Sequence, residues 1–124
     1  MSTLRLTTIS NQTGSSSVPS ETVINGSAKA WVNFNGTGTV AIRASFNVSS
    51  ITDGGAGIYT INFTNALVDA NYSPIAVSGY LSSGDSGHVS PTLRSLTTGY
   101  FQIYNYNDGD ALVDSDIVCV SIFR

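Results

Sequence analysis

Charge is scarce in this sequence. Asp, Glu, Lys and Arg make up 10% of its 124 residues, against the usual quarter. Five basic residues face eight acidic ones, for a net charge of −3, and Arg5, Lys29, Arg43, Arg94 and Arg124 are scattered along the chain. Nothing in that pattern attracts a phosphate backbone, so nucleic acid is not an expected partner. Cys119 is the single cysteine, which excludes an intrachain disulfide and a cysteine-based zinc site. It lies in the apolar run DIVCVSIF and reads as a small buried hydrophobe. No apolar stretch is long enough to span a membrane, so no membrane insertion is expected. Met1–Asn11 also lacks the apolar centre of a signal peptide. No cofactor-binding motif is present, and none is expected.

What the chain has in quantity is Gly, Ser, Thr and Asn, interleaved with apolar residues. The length suits one domain with a single modest core. Ala28–Phe63 holds three alternating segments separated by glycine-containing turns. In the second, Val40, Ile42, Ala44, Phe46 and Val48 are expected on one face, with Ala41, Arg43, Ser45 and Asn47 on the other. In the third, Tyr59, Ile61 and Phe63 oppose Ile58, Thr60 and Asn62. A period of two means strands with one face buried. Strands are expected near residues 28–35, 40–46, 49–52, 58–64, 75–81, 99–106 and 117–124. Asn35–Gly36 reads as a hairpin turn and Gly54–Gly57 as a turn needing positive φ. This spacing predicts an all-β fold: an antiparallel β-sandwich, jelly-roll-like, or a small barrel. Residues 1–21, with the Gly/Ser/Pro-rich stretch Asn11–Ser20, read as an arm and residues 22–124 as the sandwich domain. Glu21–Asn25 suits a turn of helix or a short strand. The strands at 99–106 and 117–124 are bulky on both faces, so they should lie centrally in a sandwich or against another copy.

The stretch AWVNFNGTGTVAIRASFNVSSITDGGAGIYTINFTNALVDANYSP (Ala30–Pro74), with the piece upstream from Leu4, resembles a sequence recurring in bacteriophage virion proteins. It is similar to the C-terminal tip domains of tail fibres, especially those of phages of cyanobacteria. Ile58 stands where the pattern has a polar or acidic residue, and Gly55-Ala56 replaces a more polar turn. The resemblance implies a trimeric all-β module on the virion surface, contacting other virion proteins and a host glycan or protein. It carries no catalytic motif.

Candidate chemistry is sparse. His88, the only histidine, has Asp85 and several serines nearby, but no GxSxG elbow exists, so a catalytic triad is rejected in favour of an exposed loop histidine. NDGDALVDSD places Asp108, Asp110, Asp114 and Asp116 within nine residues. Without EF-hand order they read as a solvated acidic loop and, at most, a weak calcium site. Asp53, Asp69 and Asp85 sit in turns, where Asp caps its own backbone, so paired glycosidase carboxylates are not expected. Trp31 and Tyr59 read as core or interface anchors. Tyrosines offer a flat apolar face and a polar tip for sugars or proteins. Tyr80, Tyr104 and Tyr106, with His88 and Asp108, form the expected binding surface.

These readings together predict a non-enzymatic virion surface protein, a fibre tip or knob used in host attachment. The alternative is a capsid decoration or head-fibre protein with no receptor role, which a small chain starting at Met1 would suit.

Overall fold

The structure is a computed structural model describing residues 1–81 and 88–124. Its body is two four-stranded antiparallel sheets packed face to face. Strands β3 (Ala28–Asn35), β4 (Ala41–Phe46), β7 (Ser73–Gly79) and β10 (Ile117–Phe123) form one sheet in the order β4-β3-β10-β7. Strands β5 (Val48–Asp53), β6 (Ile58–Phe63), β8 (Ser90–Leu96) and β9 (Tyr100–Tyr106) form the other in the order β5-β6-β9-β8. The two sheets stay separate, so the all-β expectation resolves to a sandwich and not a closed barrel. Strands β9 and β10 are internal to their sheets, but only one face of each is buried; the outward residues, from Tyr100 to Tyr106 and from Ile117 to Phe123, are half-buried or exposed, so the covering expected on both sides is not met within one chain.

Alternation builds the core. From the first sheet come Ala30, Val32, Phe34, Val118, Val120 and Ile122; from the second come Tyr59, Ile61, Phe63, Phe101 and Ile103, all buried. Their rings interlock, with Phe34 edge-on to Tyr59 at 5.2 Å and Phe63 stacked on Phe101 at 6.2 Å. Each such buried side chain contributes about 1.5–3 kcal/mol of transfer free energy. Cys119 falls between Val118 and Val120 and therefore on the outer face, half-buried; strand parity overrides the buried reading.

One expected face fails. Register places Phe34 opposite Ile42 but Asn33 opposite Ala44, so Arg43 is an extra residue in β4. This bulge flips the strand. Ile42 packs inward, whereas Ala44 and Phe46 point outward opposite Asn33 and Trp31, and Phe46 is 54% exposed. Asn47 then turns the chain with φ of 54° into the second sheet, where Val48 enters the core. Its side chain holds that corner, donating to the Lys29 and Asn65 carbonyls at 3.1 Å and accepting the Asn65 N–H at 2.8 Å.

Strand β8 is absent from the sequence reading because SPTLRSL carries no clean alternation. An edge position tolerates that, and tolerates Pro91. The expected two-residue turn at Asn35–Gly36 is a longer loop in which Gly38, not Gly36, has positive φ. Gly54–Gly57 does turn through positive φ, at Gly55 and Gly57.

Ahead of the body, β1 (Thr8–Ser10) pairs with β2 (Ser17–Pro19), followed by α1 (Ser20–Gly26). Glu21–Asn25 is thus helical, and its end is capped by Lys29 Nζ donating to the Ile24 carbonyl. No residue of Met1–Ser27 is buried. Leu4, Leu6, Ile9, Val23 and Ile24 line an open hollow in this segment.

Candidate functional site: two unlike outer faces

The sandwich has two outward faces of opposite chemistry. On the β4-β3-β10-β7 sheet, register aligns Phe46, Trp31, Ser121 and Ile75 in one row and Ala44, Asn33, Cys119 and Val77 in the next. Trp31 is 39%, Ile75 56% and Val77 64% exposed. The two cations at this face are spent on carbonyls: Lys29 on Ile24, and Arg43 on Asp116, with a second contact to Asn33 Oδ1. Large apolar groups exposed together on one sheet face, here Phe46, Trp31, Ile75 and Val77, suit an interface.

The β5-β6-β9-β8 sheet presents hydroxyls, amides and tyrosines instead. Its rows run Thr52, Thr60, Gln102, Arg94 and then Ile58, Tyr104, Thr92, with Ser50, Asn62 and Tyr100 beyond one end and Tyr106 beside Ser90 at the other. Side chains bond across strands. Asn62 Nδ2 donates to Thr52 Oγ1 at 2.9 Å and to Ser50 Oγ at 3.1 Å, and Gln102 Nε2 donates to Thr60 Oγ1 at 3.0 Å. The Arg94 guanidinium lies over the Tyr104 ring, 5.1 Å from its centroid, and Nη2 donates to the Tyr106 hydroxyl at 3.3 Å.

Tyr104 and Tyr106 are therefore neighbours on one face. His88 is exposed two residues before Ser90, the register partner of Tyr106, so it lies at the same end of the sheet. Tyr80 follows β7 at that end but belongs to the opposite sheet's edge, and Asp108 is exposed in the β9–β10 loop. The structure thus joins Tyr104 with Tyr106 and gives no contact linking Tyr80 or Asp108 to them. Sequence reasoning missed Arg94, because the strand that carries it was itself illegible. Ser82–Gly87, part of the expected host-facing loop, lies outside the described residues.

Two of the four loop aspartates have structural work. Asp114 Oδ1 accepts the Gly57 N–H at 2.8 Å and the Tyr59 hydroxyl at 3.0 Å; Asp116 Oδ1 accepts the Leu81 N–H at 2.8 Å. Neither belongs to a free solvated loop; each ties the β9–β10 connection to a neighbouring turn. Asp108 and Asp110 are exposed, and among the described residues no three His, Cys, Asp or Glu side chains converge as metal ligands. Burial, together with the adjacent Asp114 carboxylate, pushes the Tyr59 phenol well above its ordinary pKa, so it stays a donor. Around this latch lies a buried polar knot. Asn105 accepts from Ser78 Oγ at 2.9 Å, linking the sheets, and Asn105 Nδ2 donates to Ser115 Oγ at 3.3 Å.

Two of the three turn aspartates behave as their sequence context predicts, and Asp85 lies outside the described residues. Asp53 accepts the Gly55 N–H and Asp69 the Asn71 N–H. They stand at opposite ends of β6, and a six-residue strand puts roughly 20 Å between such ends, too far for a glycosidase pair. Asp69 also takes a two-pronged bond from Arg124 at 2.8 and 2.6 Å, the first cause holding its carboxyl at about 2. No family model, curated protein or solved structure matches the chain.

Proposed function

We propose that this chain is a bacteriophage virion surface protein: a fibre tip or knob that assembles as a homotrimer and attaches to the host surface without catalysis. The observation that carries the reading is the opposite character of the two outer faces. One is apolar and suited to assembly, the other uncharged, hydroxyl-rich and aromatic, suited to display. The resemblance of Leu4–Pro74 to tail-fibre tip domains supplies the virion context.

Area argues that the apolar sheet face does not act alone. Four strands about 4.8 Å apart and some seven residues long span roughly 400 Å². A standard interface takes about 800 Å² from each partner. The uncovered apolar side of the arm supplies the remainder, and a hairpin of two three-residue strands with a seven-residue helix needs such support to stay ordered. Neighbouring copies and other virion proteins are the partners this arrangement suits. Three linked copies of a weak host site would then gain avidity without a tighter single contact.

Two measurements test the reading. Light scattering should give three times the 13.0 kDa of one chain. Imaging of labelled particles should place a few to some tens of copies at the tail. Hundreds over the head would assign capsid decoration instead, and a monomer would remove the assembly role of the apolar face.

A further inference from the structure

We propose that the outer face of the β5-β6-β9-β8 sheet binds a carboxylate-bearing saccharide, with Arg94 reading the carboxylate and the surrounding hydroxyls, amides and Tyr100 holding the sugar rings. The proposal rests on the attachment reading above and names the ligand class of that face.

Three observations converge on it. First, the face carries one formal charge, Arg94, in a chain whose net charge is −3. Every other residue that register places on this face is neutral, from Ser50 and Thr52 at one edge to Ser90 and Thr92 at the other. Among the described residues the only ion pair is Asp69–Arg124, and none of their carboxylates answers Arg94.

Second, the guanidinium is held in place. Tyr104 supports its plane and Tyr106 takes one N–H. A guanidinium has five donors in a rigid fork matched to a carboxylate. With one donor occupied, the others remain for a ligand. Holding the side chain beforehand lowers the ordering cost of binding. Tyr104 thereby acts as a positioning residue, since the cation covers its ring.

Third, the neighbours suit a saccharide better than an acidic protein segment. Polar side chains stand on a grid of about 4.8 Å across strands and about 6.7 Å along them, offering both donors and acceptors to ring hydroxyls. A protein partner would want apolar anchor positions at the centre of the patch, where this face places Thr52, Thr60, Asn62 and Gln102. Tyr100 is 39% exposed at the edge of the grid and leaves its ring available for stacking.

The test is a titration of the assembled protein with three probes: oligogalacturonate, a neutral malto-oligosaccharide of equal length, and polyglutamate. Binding is read by calorimetry and by the NMR signals of Arg94 Nε–Hε and the tyrosine rings. Oligogalacturonate should bind best, weaken with added salt, and shift the Arg94 and Tyr104 signals while Trp31, on the opposite face, stays unchanged. Removing a charge-assisted hydrogen bond costs about ten- to a hundredfold in affinity. Arg94→Gln should therefore lose that much for oligogalacturonate and bind both sugars alike. Arg94→Lys, which keeps charge but not the fork, should fall between. An unchanged melting temperature certifies that each variant is folded. Equal binding of both sugars by the unaltered protein, no binding of oligogalacturonate, or an Arg94→Gln variant that binds it undiminished would overturn the proposal. Polyglutamate binding as tightly would overturn it in favour of an acidic protein partner. Labelling of host cells by the trimer, unaffected by Arg94→Gln, would sink the acidic-sugar inference while leaving attachment standing; absence of labelling together with absence from virions would remove the attachment reading itself.

Discussion

Replacing Asp114 by alanine strips two buried donors of their acceptor in one step. The Gly57 N–H and the Tyr59 hydroxyl both converge on Asp114 Oδ1, at 2.8 and 3.0 Å, and both residues are buried. A buried donor left unmade costs about 1–3 kcal/mol, and bonds to a charged acceptor sit at the upper end. Tyr59 recovers part of the loss by turning fully toward the Gly36 carbonyl at 3.1 Å. Among the described residues the Gly57 N–H makes no second hydrogen bond to fall back on. The sum is a loss of about 3–5 kcal/mol, which for a domain of this size lowers Tm by roughly 10–20 °C. Calorimetric melts of Asp114→Ala and Asp108→Ala make the comparison clean. Both remove one negative charge, but Asp108 is exposed, so its variant should stay within about 0.5 kcal/mol of the parent. A double-mutant cycle with Tyr59→Phe should show coupling of at least about 1 kcal/mol, since the second change no longer has a bond to break. If Asp114→Ala melts alongside Asp108→Ala, or if the cycle is additive, the latch argument is wrong.

Other expectations follow from the same geometry. Gly57→Ala should cost more than about 3 kcal/mol, because φ is +67° and a Cβ there would stand 2.7 Å from the Asn105 carbonyl oxygen. Gly38→Ala, with φ of +60° but open space around it, should cost only about 1 kcal/mol, both variants being read by urea titration against the parent. The Asp69 carboxyl is depressed to about 2 in the folded chain, first by the Arg124 hydrogen bond and then by the Asn71 N–H. A depressed carboxyl stabilises above its unfolded pKa of about 4 and loses that contribution as pH falls through the folded value. The Tm difference between the parent and Asp69→Asn should therefore be present at pH 6 and vanish near pH 2; a difference that persists there refutes the assignment. Val77→Glu and Phe46→Glu place charge on the exposed apolar rows without touching the core, so light scattering should show dissociation with the monomer fold retained by circular dichroism. Retention of the proposed trimer in both variants would move the interface elsewhere.

Much of the fold was legible from local pattern. The Tyr59–Ile61–Phe63 alternation is a property of neighbouring residues, and the structure buries all three. The inner faces of β9 and β10 were legible for the same reason, whereas the cover expected on their outer faces is not supplied by this chain. Strand β8 escaped because an edge strand pays little for weak patterning: half its ladder faces solvent and tolerates Pro91 and Ser95. Of the residues proposed to bind, Tyr104 and Tyr106 were visible as tyrosines near a loop. Arg94 was not, since its importance comes from standing beside β9, and pairing between strands leaves no mark on a short stretch of sequence.

The amino-acid sequence by itself determined the class of fold, the period of its strands, the glycine turn before β6 and the near absence of charge. These follow from short-range chemistry: side-chain alternation, glycine's freedom at positive φ and simple composition. Only the tertiary structure decided which sheet each strand joins and what each outward face presents. The bulge at Arg43 sends Phe46 outward, the corner at Asn47 carries the chain from one sheet to the other, and Asp114 becomes a latch. Each outcome depends on a partner far along the chain. The alternating run that looked like one continuous amphipathic surface is therefore divided between an apolar outer face and the core of the opposite sheet.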